Sequence, residues 1–210
     1  MKITKRITLL VLALALALSL AACGGASGPE MPMELTVNGH TIVLGQTTTA
    51  EMKEWAGWEV LLSGSQSEIR TDAKYVACYY HVKIDGGGAG KEFWLDVYVP
   101  FQKNIKGTNY VDLSAEEQQS KTEGVVFRVQ VRKSAGKDLS ISYNGVDLQD
   151  LTWDTAEEWG ATVNRGEYTV SAEMTAAQGT LAFAESSYHD GELNELKIAM
   201  STSAFSKLQK

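Results

Sequence analysis

Two stretches in the middle of the chain alternate apolar and polar residues with a period of two. That is the pattern of strands with one face buried. In the first, about Tyr75–Asp85, residues Val76, Cys78, Tyr80, Val82 and Ile84 share one face, and Tyr75, Ala77, Tyr79, His81 and Lys83 share the other. In the second, about Glu92–Phe101, residues Phe93, Leu95, Val97 and Val99 alternate with Trp94, Asp96 and Tyr98. The glycine-rich segment 86–90 joins the two as an antiparallel pair. With Ile84 opposite Phe93, or in a register slipped by two, every inward side chain meets another inward one. The first of these registers sets Lys83 beside Trp94, His81 beside Asp96 and Tyr79 beside Tyr98. Val125–Val131 reads as a further strand, expected to join the strand at Ser140. Three more are expected at about Tyr168–Met174, Thr180–Ala184 and Glu192–Ser201, with His189-Asp190-Gly191 turning the last pair.

Shorter alternating runs flank two Asn-Gly pairs, Leu35–Leu44 around Asn38-Gly39 and Leu139–Leu148 around Asn144-Gly145, and each predicts a hairpin. A short helix follows each. Thr48 with Glu51 offers a capping box for a helix running to Trp55 and stopped at Gly57, and Thr152 caps a segment that ends Glu157-Glu158-Trp159-Gly160. Thr48 and Thr152, Glu54 and Glu158, and Trp55 and Trp159 recur at one constant spacing, and the Asn-Gly pairs at a spacing two residues longer. This points to an internal duplication. The expected fold class is α+β, two tandem copies of a hairpin, short helix and antiparallel sheet, with the first copy over 34–122 and the second over 123–210. Ser114–Lys121, between the copies, is a further helix or an ordered loop.

Ahead of this region stands a different composition. Lys2, Lys5 and Arg6 precede the apolar run Ile7–Leu20 of about fourteen residues, which as a helix rises about 21 Å against a hydrocarbon core of about 30 Å. A secretory signal over 1–22 fits that length better than a permanent span. Leu20-Ala21-Ala22-Cys23 resembles the lipobox of bacterial lipoproteins at all four positions. The resemblance implies lipidation of the Cys23 sulfur and cleavage before it. Acyl chains on one residue then anchor the chain to the membrane, and the Gly/Ser-rich stretch within 23–33 serves as a tether. The expected localisation is extracytoplasmic, at the cell membrane.

Charge narrows the partners. The chain carries 19 Lys and Arg against 26 Asp and Glu, a formal net charge of −7. Loss of Lys2, Lys5 and Arg6 with the signal takes this to about −10. No basic run grips phosphates, so no nucleic acid partner is expected. Anionic headgroups repel such a domain, which leaves the lipid as its hold on the membrane. Cys23 and Cys78 are the two cysteines. With Cys23 lipidated no internal disulfide forms, and Cys78, in an apolar strand, reads as a buried structural thiol.

A search for chemistry finds no catalytic constellation, cofactor or metal site. His40, His81 and His189 lack a second histidine at ligand spacing, and His189, Asp190, Glu192 and Glu195 read as a polar hairpin tip. Residues 86–91 depart from a phosphate loop, because Glu92 stands where Ser or Thr would hold magnesium and a strand follows instead of a helix. Glu116-Glu117 and Glu157-Glu158 are adjacent and diverge on a helix.

The order Gly145-Val146-Asp147-Leu148, Thr152 to Gly160, and Asp190-Gly191-Glu192-Leu193-Asn194-Glu195-Leu196 resembles that of uncharacterised extracellular lipoproteins of gut-dwelling Gram-positive bacteria. More loosely, the unit is similar to the tandem helix-and-sheet repeats of beta-lactamase inhibitor protein and of the small lipoprotein of outer-membrane assembly, both protein binders. Residues 86–90 depart from the pattern, replacing its tight Asp-Gly turn. The resemblance implies a fold and an address, not an activity.

One face stands out. Tyr79, His81, Trp94, Asp96 and Tyr98 form an outward sheet face rich in aromatic rings with polar handles, suited to a protein interface. It is either an open binding surface or a second core layer covered by the other copy or the helices. Trp55 and Trp159 read as core anchors, and Trp58 and Trp153 are left unassigned. The expected function is a non-catalytic protein- or ligand-binding module at the cell envelope. The alternatives are an accessory subunit of an envelope complex and, behind it, a hydrolase.

Overall fold

A computed structural model describes residues 31–65, 75–88, 90–100, 123–134, 138–167, 169–185 and 191–208. It is mixed α and β, mostly antiparallel sheet with a few short helices. Both predicted Asn-Gly hairpins form. Strands β1 (Glu34–Val37) and β2 (His40–Val43) pair around Asn38 and Gly39, and β7 (Ile141–Tyr143) and β8 (Val146–Asp147) pair around Asn144 and Gly145. All four turn residues have positive φ, as a type I′ turn requires of both central positions. β1 also pairs with β7, giving a four-stranded sheet in the order β2-β1-β7-β8. Asn38 locks the join, since its backbone N–H donates to Ser140 O at 2.8 Å and its Oδ1 accepts from Ser140 N at 2.9 Å.

Each hairpin runs into a capped helix. Helix α1 (Thr49–Lys53) starts where the Thr48 hydroxyl accepts from Glu51 N, and α2 (Trp153–Glu158) where the Thr152 hydroxyl accepts from Thr155 N. A 3-10 turn, Leu148–Asp150, precedes α2. α1 is shorter than expected, with Glu54 as its C-cap, because the chain turns at once into β3 (Trp58–Ser65), where Trp58 N donates to Trp55 O. A C-terminal helix, α3 (Thr202–Leu208), and β3 itself were not expected from the sequence.

The other strands build one antiparallel eight-stranded sheet. They are β4 (Tyr75–Ile84), β5 (Glu92–Pro100), β6 (Val125–Arg132), β9 (Thr162–Arg165), β10 (Val170–Thr175), β11 (Gly179–Glu185) and β12 (Leu193–Met200), which with β3 run in the order β3-β4-β5-β6-β12-β11-β10-β9. The strand at Val125 does not join the strand at Ser140. It pairs with β5 and β12 at the centre of the large sheet, where Val126, Val129 and Val131 are buried, while β7 lies in the other layer beside β1. The β4–β5 register is the one slipped by two, with Val82 opposite Phe93, His81 opposite Trp94 and Tyr79 opposite Asp96. Pleat alternation fixes which side chains point inward, while the length of the glycine loop sets the offset.

The small sheet and the helices cover one face of the large sheet. A single core cluster joins Leu35, Val37 and Ile42 from the small sheet, Met52 and Ala156 from α1 and α2, and Phe205 from α3 to Tyr80, Phe93, Leu95, Leu181 and Ile198 of the large sheet. Cys78, at 1% exposure, belongs to this core. The segment before α1 also straps the layers together at β6. Gly45 N donates to Val126 O, Val126 N to Thr47 O, and Thr49 N to Gly124 O.

Candidate interaction face

The opposite face of the large sheet carries the residues singled out by the alternation. Strand pairing assembles them into cross-strand rows. One row runs Leu61, His81, Trp94, Gln130, Lys197 across β3, β4, β5, β6 and β12. The next runs Tyr79, Asp96, Arg128, Ala199, and beside the first row Arg132 faces Glu195. Strands β9 to β12 therefore extend the large sheet edge to edge, and among the described residues α1, α2 and α3 pack into the core on its other face.

Trp94 is held from both neighbouring strands. The His81 ring lies nearly parallel to it, with centroids 5.5 Å apart and an interplanar angle of 9°. The Arg132 guanidinium carbon sits 5.1 Å from the Trp94 ring centroid, a cation–π distance. Arg132 Nε in turn donates to Glu195 Oε2 at 3.1 Å. Asp96 points the same way as Trp94 yet is 3% exposed, and Arg128 pairs with it. Burial lowers the Arg128 pKa from its ordinary value. It also raises that of the Tyr79 phenol, against the opposing fields of Arg128 and Arg132. Tyr98 lies on β5 opposite Ala77 and Val125.

At the loop end of the face, Glu92 Oε1 accepts from Gly88 N at 3.0 Å. That amide is the main reason its carboxyl sits below the usual carboxylate range, with His81 and Lys83 acting in the same direction. His81 Nε2 lies 3.0 Å from Glu92 Oε2 without the alignment of a hydrogen bond.

Other aromatic residues serve the layers. His40 stacks on Trp55 at 4.6 Å, Trp55 meets Trp58 edge-on at 4.7 Å, and Trp58 meets Phe93 edge-on at 5.7 Å. Trp58 is buried, while Trp55 and Trp159 are half-buried against the core. Trp153 Nε1 donates to Gly191 O at 2.7 Å. Trp159 lines a recess of about 100 Å³ with Pro32, Tyr143, Asn144, Met174 and Leu181, well below the roughly 300–1,000 Å³ of ligand pockets. Among the described residues no group of three or more His, Cys, Asp or Glu could hold a metal ion, and no helix is long and apolar enough to cross a membrane. Leu20, Ala21, Ala22, Cys23, His189, Asp190 and Ser114–Lys121 lie outside the described residues.

Of the predicted face residues, the structure brings Tyr79, His81, Trp94 and Asp96 together. It adds Arg128, Gln130, Arg132, Glu195 and Lys197. The alternation of Arg128, Gln130 and Arg132 with valines carries the signal for a shared face. Which strand neighbours β6 has no local signature. Comparison with protein-family models, curated proteins and solved structures finds no match.

Proposed function

We propose that this chain is a membrane-anchored extracytoplasmic lipoprotein, held by lipid on Cys23, whose folded part is a non-catalytic binding module. The outer face of the large sheet is its contact surface. The observation that carries the reading is the held row His81–Trp94–Arg132–Glu195. It sets an aromatic ring and an arginine, residue types that dominate interface energetics, on paired strands and holds both by neighbouring side chains. Half-burial of His81 and Arg128, with side chains 22% and 27% exposed, leaves edges for a partner while the strands stay ordered. The resemblance to tandem-repeat lipoproteins belongs to the same proposal. It is supported by the order of the large sheet, in which β3 to β6 on one side mirror β9 to β12 on the other, an arrangement that moves the boundary between the copies from 122–123 to a point after Arg132.

Iodide quenching of tryptophan emission tests the surface. Comparing the full chain with its Trp94→Phe variant isolates the Trp94 contribution, which is expected to be quenched more readily than the emission of buried Trp58. A Trp94 contribution as shielded as that of Trp58 would sink the reading.

A further inference from the structure

The charges on this face are sorted in space, and the sorting bears on what it binds. At its centre Gln130 lies directly between Trp94 and Lys197, and Arg128 and Arg132 flank it along β6. Two acids reach this centre, and each is committed, Asp96 to Arg128 and Glu195 to Arg132. Lys197 makes no ion pair with a described residue, so among the described residues the centre carries one cation in excess. The remaining acids of the face stand at its margins: Glu59 on the edge strand β3, Glu92 at the loop end, tied to Gly88, and Glu173 out on β10. The neighbours of Lys197 towards β11 are small. Ala182 lies opposite it and Ala199 stands two residues on along β12, so no large side chain stands next to the half-buried Lys197 from those two positions. On a chain of net charge −7 this is a local reversal of sign.

We infer that the centre of the outer sheet face, around Gln130, Arg132 and Lys197, takes an acidic protein segment whose carboxylates meet Lys197 and the exposed edge of Arg132. The inference rests on this face being the contact surface. Arg132, at 47% side-chain exposure, keeps donors beyond the one spent on Glu195. Its guanidinium is pre-oriented by Trp94, which lowers the cost of ordering it on binding. A glycan fits less well, because stacking on sugar needs a free ring face and His81 and Arg132 flank both sides of Trp94. Anionic lipid fits less well, because the marginal acids ring the cationic centre and would meet a flat headgroup layer first.

Decaglutamate and decalysine peptides, titrated calorimetrically at low ionic strength into the full chain in zwitterionic detergent, test this. Decaglutamate is expected to bind saturably. Its affinity should fall at least roughly tenfold in Lys197→Glu, less in Arg132→Gln, and fall with added salt as exposed charges are screened. Glu173→Gln, at the margin, should leave it within about twofold, and thermal melts verify that each variant is folded. Absence of decaglutamate binding, indifference to Lys197→Glu, or preference for decalysine overturns the inference. Tighter binding of polygalacturonate assigns the face to acidic polysaccharide, and tighter binding of phosphatidylglycerol vesicles assigns it to lipid. The iodide result on Trp94 is read without any peptide. An open face that ignores decaglutamate therefore fails the inference alone, whereas a shielded face fails the proposed function as well.

Discussion

Asp96 points to the outer face of the sheet yet is 3% exposed, so its charge rests on Arg128. Removing one partner of such a pair leaves a buried charge without compensation, at a cost of about 3–5 kcal/mol. Arg128→Met is therefore expected to lower unfolding free energy in urea by about 3 kcal/mol, near the low end because Arg128 is partly exposed. The double variant Arg128→Met with Asp96→Leu should recover most of that loss. An unchanged urea midpoint in the single variant would show that solvent or another group satisfies Asp96. Tyr143 makes a second residue-level case. Its hydroxyl donates to Pro32 O at 3.0 Å, and burial raises its pKa above the ordinary 10.0. The folded phenol stays neutral where the unfolded one ionises, so its contribution is complete below pH 10 and is lost as the pH climbs beyond it. Stability should fall on that alkaline limb, and Tyr143→Phe should flatten the fall while costing about 1 kcal/mol at neutral pH for the lost hydrogen bond.

At the scale of elements, the short helices hold through their connections more than through length. α1 spans five residues, too few to persist alone. It is fastened by Thr48 at its N-cap and by Thr49, a fully buried residue whose hydroxyl accepts from Gly124 N at 3.1 Å, just ahead of β6. Thr49→Val keeps the shape and leaves that amide unsatisfied. The expected loss is about 1–3 kcal/mol, read as a lower thermal midpoint together with faster amide exchange at Gly124. A neutral substitution would mean that Gly124 finds another acceptor. The pairing of Thr49 with Gly124 spans much of the first half of the chain, so the cap matters to the sheet as much as to the helix.

On the scale of the whole molecule, one core serves two sheets, and the large sheet has one face against that core and one face outward. The proposed anchor makes its own prediction. Cys23→Ala is expected to release the protein from membranes or leave it unprocessed, as seen by fractionation and intact mass. A processed Cys23→Ala protein that stays in the membrane fraction would remove the lipid anchor from the proposal.

Residue period alone was enough to place β4, β5, β6, both Asn-Gly hairpins and the two capped helices, because each rests on contacts within a few residues: pleat, turn and cap. It also sorted Tyr79, His81 and Trp94 to one face and Cys78 and Tyr80 to the other. The strand at Thr162 was missed, and so was the edge strand β3, Trp58–Ser65, which follows a helix stop and carries Gly64, at which its pairing with β4 shifts register. Which of two registers β4 and β5 adopt, and that β6 lies between β5 and β12, were settled by tertiary structure. Those choices depend on non-local pairing, loop length and the burial of Val126, Val129 and Val131 between neighbours far apart in sequence. Arg128, Arg132 and Lys197 are ordinary surface charges when read along the chain. They become a cationic centre only because the sheet order sets β6 beside β12.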